Sequence, residues 1–452
     1  MKKLSIIMSM IVIILLSCSK ASEDTAFLLF LESEIIIPKV VNDDIELPNE
    51  ILFDNQIYQV EWLSSNEDIL NSSGRVTPLF EDITVRLTAT IAMDKKIHNM
   101  VYEVVVLKKK YIDPFILPHR FVQYAKNIDK SKLDQLTMVN DKLELINNQI
   151  RGYYSSNPIH ASLFSKMVGS WSAISSIDAS IELQVRVMVE GEWSQYLSYR
   201  SWGFGRNNFS LNTKDHIAKL SIDEIIILNN KKAEQFQYQV ILEREDVNTP
   251  SPQLDLVAFA LTIPDYNYQP EISDLPNFLD YEVPMLNQQA VPRIGGRICS
   301  PTSATMLLLF KGHDLSKNDG LPHRYIAGLF KDYGADIYGN WVFNTVGISS
   351  FGEKAYVGMM YSFEELMHHL VDFGPVAASV SGDMGLYSTG GHLVVVRGYR
   401  ITDDGDIFVL VNDPNINERF GDDKEGQPLF VYYEYPLEVF MNTWKGIVYM
   451  IE

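Results

Sequence analysis

One ten-residue stretch decides the fold of the C-terminal third: Arg297-Ile298-Cys299-Ser300-Pro301-Thr302-Ser303-Ala304-Thr305-Met306. The apolar run that continues to Phe310 predicts a helix that begins at Cys299 and stops at Gly312. Pro301 suits the first turn, where its missing N–H costs nothing. Cys299 then lies at the positive end of a helix dipole, which favours thiolate over thiol. An inert buried cysteine is the alternative that the residue alone leaves open.

Two later segments supply the groups that a cysteine nucleophile needs. His392 follows Gly390-Gly391 and opens the apolar run Leu393–Val396, which predicts a buried strand. Asp413 follows the next predicted strand, residues 407–411, and the Asp-Asp-Gly-Asp turn between the strands predicts a hairpin. If the strands pair, both side chains reach one edge of the sheet. Taken singly, His392 is equally a satisfied core histidine, and Asp413 a turn residue before proline.

Cysteine, histidine and aspartate in this order are the raw material of a papain-type nucleophile. The aspartate can hold one imidazole nitrogen and leave the other facing the thiol. Gln288 lies eleven residues before Cys299 (299 − 288 = 11) and carries an amide that can hold a developing oxyanion. Gln289 is the adjacent rival for that role.

The order and context of these motifs resemble one family, the papain-fold peptidases such as the bacteriocin-leader (double-glycine) processing peptidases. The resemblance covers roughly residues 280–452 and rests on Val-Pro-x-x-x-Gln from Val283, Cys-x-Pro-x-Ser from Cys299, Gly-His followed by Arg397-Gly398-Tyr399, and Asn-Asp-Pro. It implies Cys299 as nucleophile, His392 as general base and acid, Asp413 as orienting residue and Gln288 as oxyanion donor. Ile298 departs from the glycine that many members carry before the cysteine.

The N-terminus resembles a bacterial lipoprotein signal. Lys2 and Lys3 precede an apolar run that is too short for an ordinary transmembrane helix, and the run ends in Leu-Leu-Ser-Cys18. We therefore expect a signal peptide over residues 1–17, lipidation of Cys18 and a polar tether over 18–27. The expected location is the bacterial cell envelope, with the outer membrane as the anchoring membrane if the source is Gram-negative. A lipidated Cys18 leaves Cys299 with no cysteine for an intrachain disulfide.

The rest of the chain divides into β-rich blocks and one mixed block. Short alternating runs over 28–108 predict an all-β domain that resembles the bacterial atypical immunoglobulin-like module, and those over 109–263 predict a second, jelly-roll-like sandwich. A Pro-, Asp- and Asn-rich linker is predicted over 264–282, followed by an α+β papain-like domain over 283–452. The predicted class is thus two all-β sandwich domains followed by an α+β cysteine peptidase domain.

Composition excludes several function classes. The net charge of −20 argues against a nucleic-acid partner, because no positive excess is available to neutralise phosphates. His368-His369 lacks metal-ligand spacing and is predicted to lie on a helix surface, and the acidic turns lack calcium-loop spacing, so no metal or other cofactor is expected. Four aromatic residues of the second block either stack on sugars or pack its sheets, with packing favoured: Trp171, Trp193, Tyr196 and Trp202.

These observations predict an exported, lipid-anchored cysteine peptidase that acts on a peptide or protein, through a peptide or isopeptide bond. The principal alternative is a catalytically silent cell-surface protein whose β-domains contact glycan or protein. An acyl or amine transferase would use the same residues on the same scaffold, and the sequence leaves that alternative open.

Overall fold

The computed structural model of the chain describes residues 25–67, 69–76, 82–94, 96–107, 117–315 and 320–452. The chain divides into two compact units, Met1–Ile112 and Asp113–Glu452. Cys18 and the predicted signal peptide 1–17 lie outside the described residues. Within the described ranges, helices are too short or too polar to span a bilayer.

The first unit is a five-stranded sheet with a helix, α1 (residues 25–34), packed on one face. Its strands are β1 (Val40–Val41), β2 (Glu50–Phe53), β3 (Gln56–Ser64), β4 (Ile83–Met93) and β5 (Lys96–Val106). Their order is β1-β5-β4-β3-β2, and only β1 and β5 run parallel among these pairs. Phe27 and Leu31 of α1 share a buried cluster with Val60 and Ile91 of the sheet.

The predicted boundaries of this unit need correction. The tether was expected to extend to residue 27 and the all-β pattern to begin at 28, whereas 25–34 are helical. Phe27 and Leu31 are four residues apart, so they lie on one helix face, and their burial against the sheet favours the helix. Residues 18–24 of the predicted tether lie outside the described residues. One sheet is described here, so the immunoglobulin-like type stays a prediction.

The first part of the second unit is a two-sheet β-structure, as predicted for this block in outline. Its strands are β6 (Arg120–Tyr124), β7 (Leu133–Asp134), β8 (Leu136–Val139), β9 (Lys142–Leu145), β10 (Arg151–Ser155), β11 (Ile159–Phe164), β12 (Lys166–Ile174), β13 (Ala179–Val189), β14 (Glu192–Trp193), β15 (Leu197–Trp202), β16 (Thr213–Lys214), β17 (Ala218–Ser221), β18 (Glu224–Ile227), β19 (Ala233–Arg244) and β20 (Gln253–Thr262). One sheet has the order β14-β13-β19-β10-β7, with β11 on β19 and β15 on β13. The other has the order β16-β17-β18-β12-β20-β9-β8, with β6 on β20.

Aromatic side chains join these two sheets. Phe236 of one sheet and Phe259 of the other have ring centroids 4.8 Å apart. Trp171 and Trp202 are fully buried in the same core, so they pack the sheets and do not form a sugar-stacking surface. The jelly-roll type of this sandwich stays a prediction.

The second part of the unit is an α+β structure around one further sheet. Its strands are β21 (Phe278–Asp280), β22 (Ala355–Met359), β23 (Val376–Asp383), β24 (Ser388–Ile401), β25 (Ile407–Asn412), β26 (Tyr432–Pro436) and β27 (Trp444–Ile451). Its α-helices are α2 (Cys299–Phe310), α3 (Pro322–Phe330), α4 (Trp341–Ser349), α5 (Phe363–Phe373) and α6 (Leu437–Thr443). Short 3-10 helices of the second unit span Ala125–Asn127, Lys130–Lys132, Gln288–Ala290, Gly295–Arg297 and Glu418–Phe420. The sheet order is β22-β27-β23-β24-β25-β26, with β21 on β24.

The two parts of this unit share a hydrophobic core and are not separated by a flexible linker. Val346 of α4 and Ile447 of β27 join the buried cluster of the β-sandwich. The Ser349 hydroxyl donates to the Ala173 carbonyl at 3.0 Å and accepts from the Ala173 amide at 2.9 Å. The predicted linker 264–282 also contains β21, which pairs with β24. Its proline-rich composition therefore marks a connection that lies along the sheet edge.

The predicted surface position of His368-His369 is wrong for His369. This imidazole is fully buried on α5 and stacks on Phe373 with ring centroids 5.0 Å apart. Burial, reinforced by the charges of Arg120 and Lys311, lowers the pKa of His369 to about 3, so the ring is neutral. Adjacent residues on a helix point about 100° apart, and the burial pattern of α5 puts His369 on the inward face.

Candidate active site

Cys299 is the first residue of α2, as the sequence predicts. The helix is buried from Ser300 to Leu308, because its positions are small or apolar on every face and other elements cover it. Cys299 itself is half-buried, so it is less covered than the helix residues that follow it. No acidic side chain lies in the first turn, and the helix dipole therefore acts on the thiol without local compensation.

Polar contacts fix α2 against β24, which carries His392, and against β27. The Ser303 hydroxyl donates to the Leu393 carbonyl at 3.1 Å, and the Ser300 hydroxyl pairs with the Tyr449 hydroxyl at 2.7 Å. The backbone amides of Leu393 and Ser300 lower the pKa of the Cys299 thiol. These contacts set the distance between sulfur and sheet, and both amides stabilise a thiolate more than a thiol.

The predicted pairing of the two later strands is confirmed. β24 and β25 are antiparallel neighbours, with Val395 opposite Asn412. His392 is buried, and its Nε2 lies 2.8 Å from Asp413 Oδ1. Because Nε2 is engaged by the carboxylate, Nδ1 is the nitrogen left for the hydrogen bond with the Cys299 thiol.

The sequence predicts that His392 opens its strand, and this prediction is wrong. β24 begins at Ser388, and the Val380–His392 and Gly382–Thr389 pairs continue the ladder with β23 upstream of the histidine. A Cβ at Gly390 or Gly391 would meet nothing within 4 Å. Among the described residues, the space into which a side chain at either glycine would point is therefore open.

Asp413 is fully buried, and hydrogen-bond donors surround its carboxylate. Oδ1 accepts from His392 and from the Asn415 amide at 2.9 Å. Oδ2 accepts from the Tyr387 hydroxyl at 2.6 Å and from the Tyr435 hydroxyl at 3.0 Å. A buried carboxylate is tolerated when its lone pairs are satisfied in this way.

The pKa shifts of Cys299, His392 and Asp413 favour their charged forms. Burial lowers the pKa of His392, but the charge and hydrogen bond of Asp413 and the contact with Cys299 raise it overall, to about 10. Burial raises the pKa of Cys299, but the hydrogen bond and charge of His392 lower it overall. Burial likewise raises the pKa of Asp413, and His392 and the Tyr387 hydroxyl reverse this. Thiolate beside imidazolium is the state that this arrangement favours.

Gln288 connects the cysteine segment to the aspartate segment. It is buried, its Nε2 donates to the Gly295 carbonyl at 2.9 Å, and its backbone amide donates to the Pro414 carbonyl at 2.8 Å. The amide group has two N–H hydrogens, so one remains for another acceptor. Gln289 is exposed and donates to Asn415 Oδ1 at 3.1 Å. Of the two glutamines, only Gln288 is buried against the segment that leads to Cys299.

Ile298, which the sequence analysis noted as a departure from an expected glycine, does not crowd the site. Its φ of −116° is open to any L-residue. Its side chain is buried in a small cluster with Val291, Ala327 and Tyr338. The side chain thus points into protein and does not narrow the approach to the sulfur.

Tyr387 and Tyr435 are the site residues that sequence reasoning missed. Tyr435 lies on β26, whose register with β25 was not predicted. Tyr387 comes from the turn before β24, and its ring packs edge-on against His392 with centroids 5.9 Å apart at 82°. Neither tyrosine belongs to a local motif. Only a prediction of the β25–β26 pairing would have brought Tyr435 near Asp413.

Comparisons with known proteins match two segments of the chain. Residues 281–449 match the model described as Peptidase_C39 like family. Residues 149–262 match the model described as Peptidase C39 N-terminal domain. No curated protein matches the chain.

Several solved structures match weakly. The CBM51-2 and INT domains of Clostridium perfringens ZmpB share 8% identity, with a TM-score of 0.15, over 64% of this chain and 59% of that one. Carbohydrate-binding modules of a β-sandwich superfamily share 9% identity, with a TM-score of 0.17, over 50% of this chain and 99% of theirs. An exo-β-1,3-galactanase from Phanerochaete chrysosporium shares 9% identity, with a TM-score of 0.16, over 39% of this chain and 42% of that one. The chain thus spans 59% of the first of these, and superpositions this poor support no conclusion about fold or function.

Proposed function

Because residues 281–449 match the model described as Peptidase_C39 like family, we propose that this chain is a papain-fold cysteine peptidase with Cys299 as its nucleophile. The arrangement that supports the proposal is Cys299, at the start of a buried helix, interacting with His392. The Nε2 atom of His392 lies 2.8 Å from Asp413 Oδ1. A nucleophile, a base and an orienting group in contact are the minimum for covalent acyl transfer.

In the proposed reaction, the Cys299 thiolate attacks the carbonyl carbon of a peptide or isopeptide bond. The carbonyl π electrons move to oxygen, and the remaining Gln288 N–H is the donor proposed for that oxyanion. The C–N bond then breaks, and the His392 imidazolium gives its proton to the leaving amine. Water, deprotonated by His392, attacks the thioester, and the carboxylate product leaves as the thiolate returns. Asp413 holds the imidazole in one orientation throughout.

We further propose that the chain is exported and anchored by lipid on Cys18 in the bacterial cell envelope, at the outer membrane if the source is Gram-negative. The support is the order of charge, apolar run, serine and cysteine at the N-terminus. Cys18→Ser should leave the protein unprocessed or released from membranes. Unchanged processing and membrane fractionation would contradict the anchor.

The experiment that tests the peptidase proposal is alkylation of the mature protein with iodoacetamide at pH 6, compared with a model thiol. Cys299 should react faster than the model thiol. Cys299→Ala should reduce turnover of a peptide library by about 10⁶-fold with little change in melting temperature. Alkylation no faster than the model thiol, or an unfolded Cys299→Ala variant, would instead favour a structural cysteine and the catalytically silent surface protein.

A further inference from the structure

Asn412, which precedes Asp413 at the end of β25, is a buried residue that the proposed reaction does not use. The residue is fully buried, and its amide Nδ2 donates to the Val283 carbonyl at 3.0 Å and to the Pro284 carbonyl at 3.3 Å. Val283 and Pro284 begin the stretch that leads to Gln288. The side chain beside the triad aspartate therefore holds the segment that carries the proposed oxyanion donor.

The same side chain contacts two further segments of the site. Its Oδ1 accepts from Arg397 Nη1 at 3.3 Å, and Arg397 lies on β24 with His392. Its Nδ2 lies 3.8 Å from the Met306 sulfur, on the helix that begins with Cys299. Asn412 thus contacts or adjoins all four segments that supply the proposed catalytic groups.

Arg397 determines which end of the Asn412 amide faces the carbonyls. The guanidinium is itself held, because its Nε donates to Asp280 Oδ1 at 2.6 Å and its carbon lies 5.0 Å from the Tyr432 ring. A guanidinium can only donate hydrogen bonds, so the Asn412 oxygen must face it. The Asn412 nitrogen is therefore directed at the two backbone carbonyls, where it can donate.

The segment over residues 281–287 depends on such contacts more than the other three segments do. It belongs to no helix or strand, whereas β24 and β25 pair with each other and α2 is hydrogen-bonded to β24 and β27. Val283 is buried, and a buried carbonyl that loses its donor destabilises the conformation that buries it. An apolar residue at position 412 should therefore displace this segment more than it disturbs the helix and the strands.

A second contact holds the far end of this segment. The Gln288 backbone amide donates to the Pro414 carbonyl at 2.8 Å. The stretch 412–414 therefore holds the segment at both ends, through a side chain at 283–284 and through the backbone at 288. Only the side-chain contact depends on which residue occupies position 412, so a substitution there removes one attachment and leaves the other.

We propose that Asn412 is a positioning residue for the Gln288 amide. By tying the segment 281–287 to the end of β25, it sets the oxyanion donor in register with the His392–Asp413 pair. Asn412 acts on the reaction through the position of Gln288. This inference rests on the proposed peptidase function and adds to it the residue that places its oxyanion donor.

The test compares two reactions of Cys299 in the full chain. With p-nitrophenyl acetate, the thiolate attacks the acetyl carbonyl carbon and an oxyanion forms. The C–O bond then breaks, and p-nitrophenolate leaves with the electron pair and without a proton from His392. Iodoacetamide alkylates the same sulfur by displacement of iodide, and no oxyanion forms. First-turnover release of p-nitrophenolate therefore reports on the oxyanion donor, and alkylation reports on the thiolate alone.

Asn412→Leu should slow first-turnover release by about tenfold, a part of the roughly 10²–10³-fold loss expected when the donor itself is removed. Alkylation at pH 6 should stay within about twofold of wild type, because the thiolate and its imidazolium partner are unchanged. In a Gln288→Ala background, Asn412→Leu should change release by less than about twofold, since the group that it positions is already absent. Equal losses in the two backgrounds would overturn the inference.

The matched control is Asn344→Leu. Asn344 is also fully buried, and its Nδ2 donates to two backbone carbonyls, those of Tyr338 and Asn340, each at 2.8 Å. This variant should lower the melting temperature as Asn412→Leu does, and it should leave both reactions at the wild-type rate. Asn412→Ser keeps one donor in place of two, so it should slow release less, and it replaces the leucine variant if that variant does not fold.

The outcomes separate this inference from the peptidase proposal. If wild type reacts rapidly with both reagents, but Asn412→Leu keeps the wild-type release or slows both reactions equally, Asn412 does not position the donor. If Gln288→Ala keeps the wild-type release, Gln288 is not the donor, and the inference fails while the nucleophile stands. If wild type reacts with neither reagent faster than a model thiol, the peptidase proposal itself fails.

Discussion

Among its described residues, the second unit contains two buried histidine–carboxylate pairs, and only one of these adjoins a nucleophile. His392 Nε2 lies 2.8 Å from Asp413, and His119 Nε2 lies 3.0 Å from Glu365. All four residues are buried. Judged by the pair alone, the two regions are equivalent.

Their surroundings separate them. Glu365 also lies 3.6 Å from the guanidinium of Arg120, and tyrosine rings at 4.9–5.8 Å surround His119. His119 and Arg120 belong to the sandwich part and Glu365 to α5, so this pair joins the two parts of the unit. The other nitrogen of His392, by contrast, meets the half-buried Cys299.

A buried histidine–carboxylate pair is therefore a structural device by default. Such a pair can take part in catalysis when the second imidazole nitrogen contacts a group that ionises, such as a thiol. The sulfur, and the helix end that stabilises its anion, make that difference here.

The largest expected contrast comes from removing each carboxylate. Asp413→Asn should lower kcat by about 10³–10⁴-fold, because the imidazole loses the anion that fixes its tautomer. Glu365→Ala should cost about 3–5 kcal/mol of folding stability, since it breaks a buried ion pair, while alkylation of Cys299 at pH 6 stays at the wild-type rate. Chemical denaturation and peptidase kinetics measure the two effects. Loss of thiol reactivity in folded Glu365→Ala would mean that the two pairs are coupled.

The next effect concerns the two adjacent glutamines. Gln288→Ala should lower kcat by about 10²–10³-fold through loss of an oxyanion donor, with the iodoacetamide rate unchanged because alkylation forms no oxyanion. Gln289→Ala is the matched control and should change kcat by less than about threefold, since its amide only bonds Asn415. Equal losses in both variants would reject Gln288 as a specific donor.

A smaller effect should separate the two tyrosines on Asp413. Tyr435→Phe and Tyr387→Phe each remove one donor to Oδ2, and each should cost about 1–3 kcal/mol of stability. Tyr387→Ala also removes the ring from His392, which admits water to the His392–Asp413 bond. We expect this variant alone to reduce Cys299 alkylation at pH 6 several-fold. An identical rate of Cys299 alkylation at pH 6 in all three variants would show that the Tyr387 ring only packs against His392.

The smallest effect is a pH dependence of stability. The pKa of His392 is raised from 6.5 to about 10, so its stabilising contribution is complete below about pH 6.5 and is lost as the pH rises through 10. The pKa of Asp413 is lowered from 3.8, so its contribution is present above that value and is lost in acid. The melting temperature of wild type should exceed that of His392→Gln most between about pH 4.5 and 6.5. A gap that widens above pH 10 would contradict the charged pair.

Local sequence signals predicted the parts of the site that lie close together in the chain. The helix begins at Cys299 because good helix formers follow a proline in its first turn. The β24–β25 hairpin forms because a turn sequence joins two apolar runs. Those two features carry Cys299, His392 and Asp413.

Boundaries were predicted less well, for a common reason. The helical segment at 25–34 begins in the predicted tether and continues into the predicted all-β block, and strand β21 occurs in the predicted linker. Each gains its structure by packing on a sheet that other residues build. Propensity counts only the residues of a segment itself, so it misses this contribution.

The sequence by itself determined a helix with a cysteine at its positive end, a hairpin that carries histidine and aspartate, and a charge balance that disfavours nucleic acid. Periodicity and turn chemistry act over a few residues, and that range suffices for these features. Only the tertiary structure decided that Tyr387 and Tyr435 hold Asp413 and that Glu365 meets His119. These contacts join side chains 22 to 246 positions apart, and their pairing depends on strand register and core packing, which no local pattern encodes.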